Sequence, residues 1–209
     1  MNEMAFETGL NDKNNYQGKT DWEFYNKPEN KKFVKLLKDK IGSNKYKFYK
    51  VPGVITSYFL TDENDNYLGR IQLEVINNKG YIKTSHGSIK NFYKIMFTLL
   101  LTEVKEIYSD VSLSTQAIKS YEKLSKNGLY KIKIKDTDNN IHDFDKDLLL
   151  QYPGNVVQIT EKQEGFIEEH FKDYYKRISL NQVNGRPDTF KRMFLESDEY
   201  LDLFLFGQM

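Results

Sequence analysis

Four side chains in this 209-residue chain stand out as able to move protons: Tyr121, His86, Glu74 and Asp110. Tyr121 lies in "TQAIKSYEKLSKNG", where Ala117, Ile118, Tyr121 and Leu124 fall on one helical face. Its phenol could donate a proton, and its ring could equally fill a core. His86 sits in the short polar stretch Thr84-Ser85-His86-Gly87-Ser88-Ile89, and an imidazole with an intrinsic pKa of ~6.5 suits proton transfer near neutrality. Glu74 and Asp110, each on a predicted strand, are the carboxylates available as a general base. The chain has no cysteine, which excludes disulfides, thiolate zinc sites and a cysteine nucleophile, and its 3 histidines are scattered, so no metal site is expected.

The bulk composition narrows the partners. The 31 Lys+Arg and 30 Asp+Glu nearly cancel to +1, leaving no whole-molecule field to draw in nucleic acid or an anionic membrane. Aromatic residues, 15 Tyr and 14 Phe, supply the core bulk that a hydrophobic share of 39% would otherwise leave short. The N-terminus carries no basic region followed by an apolar block, and no apolar run is long enough to span a bilayer. A cytoplasmic protein is expected. The abundance of Lys, Asn, Ile and Tyr fits an AT-rich genome, phage genomes included, which makes a virion the alternative location.

Elements that could position these groups follow from periodicity and turn chemistry. Residues 1–27 are polar, with isolated rings at Phe6, Tyr16, Trp22, Phe24 and Tyr25, and read as an extended arm anchored by those rings. "KPENKKFVKLLKDKIG" reads as a helix, with Pro28 in its first turn, a stripe of Phe33, Leu36, Leu37 and Ile41, and Gly42 as its stop. From Tyr46 to Ser85 four strands alternate with turns at "DENDN" and "NNKG", an antiparallel meander. "SIKNFYKIMFTLLLTEV" is a helix broad enough in apolar surface to lie on a sheet, "EIYSDVSLS" a strand, and the Tyr121 segment a second such helix. "LYKIKIKD", "IHDFD" and "NVVQIT" read as further strands, and 161–209 as a helical extension. The expected class is α+β, a mixed, mainly antiparallel sheet flanked by helices, in three parts: arm 1–27, domain 28–160, and C-terminal helical extension 161–209.

The stretch Asp110–Ile132 resembles the GCN5-related N-acetyltransferases, whose fifth strand, fourth helix and sixth strand often run from a strand-end Asn through x-x-Ala to a tyrosine-bearing helix closed by Gly-Phe. Ser114 falls at the Asn position, Ala117 at the alanine, Tyr121 at the tyrosine, and Gly128-Leu129 at the closing turn. Element order extends the resemblance over about residues 29–160, with motif-level similarity confined to 105–132. The resemblance implies an acetyl-CoA or other acyl-CoA cofactor, its pyrophosphate held by backbone amides at the start of a helix. The equivalent turn is Thr84–Ile89: Gly87 matches the first glycine, while Thr84 replaces a Gln or Arg and Ile89 stands where Gly or Ala is usual. Cofactor contacts are therefore expected from Ile82, Thr84, Ser85, Gly87, Ser88, Ile89, Ser114 and Ala117, with Tyr121 as general acid and His86 as a further catalytic group.

Two readings follow. One is an acyl-CoA-dependent N-acyltransferase that moves an acetyl group to an amine of unspecified identity. The other is an inactive scaffold of the same fold serving in a larger assembly, such as a phage virion, with the arm and the C-terminal helices binding a protein partner or a second copy. Neutral net charge disfavours a nucleic-acid role for the lysine-rich 28–42 segment.

Overall fold

The computed structural model describes residues 16–42, 44–126, 130–152 and 154–161. Helix α1 covers 16–25. After a 3-10 turn at Lys31–Phe33 come strands β1 (Lys35–Ile41), β2 (Tyr46–Val51), β3 (Ile55–Thr61), β4 (Tyr67–Ile76) and β5 (Lys79–Gly87). Helix α2 (Phe92–Leu100), β6 (Glu106–Tyr108), α3 (Thr115–Ser125), β7 (Tyr130–Lys135), β8 (Ile141–Asp143), α4 (Lys146–Gln151) and β9 (Val156–Glu161) complete it. The strands form one open sheet ordered β1-β2-β3-β4-β5-β6-β9-β7-β8. β5 and β6 pair in parallel, because α2 carries the chain back across the sheet between them; β6 and β7 are both antiparallel to β9, which lies between them. This is the mixed, mainly antiparallel α+β sheet that the sequence implies.

The two faces of the sheet are covered differently. Ile71, Leu73 and Ile107 point to the face where α2 and α3 pack, and Ile95, Phe97 and Leu99 of α2 meet them with no exposed surface. Burying one such side chain contributes roughly 1.5–3 kcal/mol, so this face holds the main core. The opposite face is covered at β2–β4 by α1. There Trp22, 3% exposed, packs against Val51 and Phe59, and its Nε1 donates to the Asp65 carbonyl at 2.8 Å. Buried Arg70 of β4 pairs with Asp21 of α1, adding a charged tie.

Three sequence expectations are corrected. The helix expected over 28–41 is instead the 3-10 turn followed by β1. Its apparent stripe is not buried as one: Phe33 and Leu36 are exposed, while Leu37 and Ile41 join the core, and pairing with β2 supplies the backbone partners. Tertiary pairing overrides local periodicity there. The arm is helical at 16–25, although Trp22 anchors it as its ring suggests. The strand expected in "EIYSDVSLS" stops at Tyr108, and α4, capped by the Asp145 side chain, was not anticipated. Phe6, Gly128, Leu129 and the C-terminal extension beyond Glu161 lie outside the described residues.

Candidate functional site

A split in the sheet organises the candidate site. β5 and β6 share the pairs Lys79↔Glu106, Gly80↔Ile107 and Tyr81↔Tyr108, after which β5 continues along β4 to Gly87 while β6 ends. The chain leaves because Ser109 commits to β9: its N–H donates to the Val157 carbonyl and its Oγ accepts from the Val157 N–H, both at 2.8 Å. On the other side Lys83 is an extra residue between the pairs Leu73↔Ile82 and Gln72↔Thr84, a bulge that adds twist to β5. From Ile82 onward the outer edge of β5 therefore has no strand beside it among the described residues. Such an edge offers backbone donors and acceptors to an extended, amide-bearing ligand.

Hydroxyl groups gather beside this split. Ser85 Oγ and Tyr93 Oη lie 3.2 Å apart, joining β5 to the first turn of α2. Tyr121 of α3 stacks on Phe97 of α2 at 6.1 Å with an interplanar angle of 9°. Burial pushes the Tyr121 phenol well above its usual range, and Tyr93 and the Asp110 carboxylate push it the same way. Burial also raises Tyr93, against the bond from Ser85. Both phenols thus remain protonated at neutral pH and act as donors rather than bases. Asp110 is exposed at the mouth, accepting from the Val111 N–H at 2.7 Å, and its charge is felt by both Tyr121 and Lys83.

The remaining sequence candidates fall in several places. Thr84–Gly87 continue β5, so only 88–91 turn before α2. Alternation along the strand turns Thr84 and His86 to the face opposite Ser85. Thr84 donates to Gln72, which donates to Ser57, and His86 lies beside Arg70. His86 and Tyr121 are thereby on opposite sides of the sheet. Gly87 and Gly69 are paired, and a Cβ on either would run into the Phe92 ring, so these glycines make room for α2 packing. Ser88 bonds the Leu68 carbonyl through both N–H and Oγ, at 2.9 Å each. Ile82 is buried in the core and Ile89 packs against it.

Ser114 is the N-cap of α3, its Oγ accepting from the Ala117 N–H at 3.1 Å, which gives the Ser-x-x-Ala spacing a helix-starting role. Glu74 is taken by Lys83 at 2.8 Å. Tyr93 is the member of the site that spacing alone assigns to a core; its bond to Ser85 depends on how β5 meets α2. Asn91, in the left-handed region, gives α2 no side-chain cap, and the first turn of α2 holds no acidic residue. That end of the helix is electrostatically receptive to an anion. Among the described residues no cluster of His, Cys, Asp or Glu could hold a metal, and no helix is long and apolar enough to cross a membrane.

No protein-family profile matches the chain, and no curated protein matches it either. Solved structures do. The N-terminal domain of a ribosomal-protein-alanine acetyltransferase from Clostridium acetobutylicum ATCC 824 is 19% identical, covering 61% of this chain and 96% of that one at a TM-score of 0.29. A protein of unknown function from Aquifex aeolicus VF5 is 9% identical, covering 81% of this chain and 89% of that one at a TM-score of 0.26.

Proposed function

We propose that the split between β5 and β6 receives an acyl-CoA and that the protein transfers the acetyl group to an amine. The observation that carries this reading is the open edge of β5 with Ser85, Tyr93 and Tyr121 gathered beside it. The amide-bearing arm of the cofactor suits an unpaired strand edge, and the uncapped start of α2 suits its phosphates. In the reaction the amine nitrogen bonds to the thioester carbonyl carbon, the tetrahedral oxyanion collapses, and the C–S bond breaks. The departing sulfur takes a proton from the Tyr121 hydroxyl, while the amine's proton leaves through Asp110 or water.

Thermal shift with acetyl-CoA tests binding directly, since a ligand of the native state alone must raise its stability by mass action. A rise in Tm at millimolar acetyl-CoA is expected, and no rise ends this reading. Tyr121→Phe then lowers turnover by about 10²-fold while leaving cofactor binding unchanged. Equal turnover returns Tyr121 to a packing role.

Two observations favour the scaffold reading instead. Phe92 fills the space above Gly87 and Gly69, and Ser114 spends its hydroxyl on a cap, so two features that resemble a cofactor site have structural employment. The outer side of α1 leaves Tyr16 and Phe24 exposed, surface that a partner protein or second copy could cover. A chain without acetyl-CoA binding but with concentration-dependent self-association or partner capture would support this reading.

A further inference from the structure

We propose a second ligand site, separate from the split, in the cavity between α1 and the β3–β4 loop, suited to a neutral polyhydroxylated molecule of the sugar class. The cavity measures about 540 Å³, within the range of small-molecule sites. Tyr67 supplies the aromatic wall, with Trp22 reaching the cavity only through the 3% of its surface left exposed, and Asn26, Asn64 and Asn66 supply amides from the two sides. It lies on the face of the sheet that α1 covers, whereas Tyr121 and Tyr93 lie with the helices of the other face.

The unspent groups define the ligand. Lys19 and Glu23 form an i,i+4 pair at 4.0 Å, and the Asp65 carboxylate already accepts from Lys47 and Tyr49 at 3.0 and 2.7 Å. The Asn66 amide nitrogen donates to Asp62, and Ser88 Oγ donates to the Leu68 carbonyl. The Tyr67 hydroxyl is buried without a partner among the described residues, and Asn26 and Asn64 border the cavity with side-chain amides that each offer two donors and an acceptor. A hydroxyl is donor and acceptor at once and matches such amides, while the apolar face of a sugar ring matches an aromatic wall. A phosphate only accepts and would leave the amide oxygens of Asn26 and Asn64 unmatched, and a simple cation would leave their N–H groups unmatched.

Trp22 is the single tryptophan of the chain, so its indole reports on this cavity without labelling. The full chain is titrated with N,N′-diacetylchitobiose, maltotriose and inorganic pyrophosphate, following tryptophan fluorescence and the indole N–H resonance. At least one saccharide should give a saturable change at millimolar concentration and pyrophosphate none. Asn26→Ala and Asn64→Ala should each weaken saccharide binding about tenfold, the worth of one lost hydrogen bond, without lowering Tm. Absence of a saturable saccharide response overturns the proposal, as does saturation by pyrophosphate alone or unchanged affinity in the double variant. Displacement of the saccharide by acetyl-CoA would likewise overturn it, by merging the two sites.

Discussion

Two loops in this protein are built alike and used differently. In Asp62–Asn66 the first Asp accepts from the N–H groups of Asn64 and Asn66 at 2.8 and 2.9 Å, and its other oxygen accepts from the Asn66 amide at 2.7 Å. In Asp136–Asn140 the same bonds run from Asp138 and Asn140 at 2.9 and 2.8 Å and from the Asn140 amide at 3.0 Å. The fourth residue of each is left-handed, Asp65 at φ 64° and Asn139 at φ 68°. Local chemistry closes both hairpins without help from the rest of the fold. Their surroundings then separate them. The first lies under α1, where the Asp65 carbonyl holds Trp22 and its carboxylate holds Lys47 and Tyr49; the second is exposed, and Asp136 accepts additionally from His142 Nε2 at 2.8 Å. A self-sufficient turn is thus free to take on a tertiary role, and in the first case it has become a docking point for a helix and one wall of a cavity.

Removing that docking should have the largest effect. Trp22→Ala deletes a buried ring and the bond to Asp65, and a loss of about 3–5 kcal/mol is expected in urea unfolding, followed by circular dichroism because the fluorophore is gone. Next comes the same substitution at the two equivalent left-handed positions. Asp65→Gly relieves the left-handed backbone but leaves Tyr49 and Lys47 without their acceptor, a net cost of roughly 1–3 kcal/mol. Asn139→Gly relieves the backbone with no such loss, and stability should hold or rise by up to about 1 kcal/mol. Effects of the same sign and size at both positions would mean that the tertiary contacts of Asp65 contribute little.

The same distinction explains what was legible in the sequence. "DENDN" and "NNKG" mark turns by local bonding, so the β2–β5 meander could be read directly, and α3 announced itself through its apolar face. α1 could not be read, because its anchor is one indole reaching a carbonyl 43 residues away. β1 misled because Leu37 and Ile41 are spaced as on a helix, while their burial depends on the neighbouring strand. The site divides in the same way. Tyr121 was found through its helix, but Tyr93 joins Ser85 only through the meeting of β5 with α2, and His86 was displaced to the other face by the alternation of a strand that had been read as a turn.

The smallest effect concerns charge. In the exposed loop the bond from His142, joined by those from Asn140 and the Asp138 N–H, holds the Asp136 carboxyl down at about 2. In the covered loop burial works against Asp62, and bonds from Asn66 and Asn64 still bring it below the usual carboxylate range. A folded-state pKa below that of the unfolded chain means that the stabilising contribution is complete above the unfolded value of about 3.9. It is lost as pH falls, for Asp136 through the window from about 4 to about 2. His142→Ala removes the largest cause at Asp136 and touches nothing at Asp62. Carboxyl resonances followed through an acid titration should therefore show Asp136 moving up toward the ordinary range while Asp62 stays in place. If neither moves, the backbone and Asn bonds shared by the two loops set both values, and His142 adds nothing to the turn it contacts.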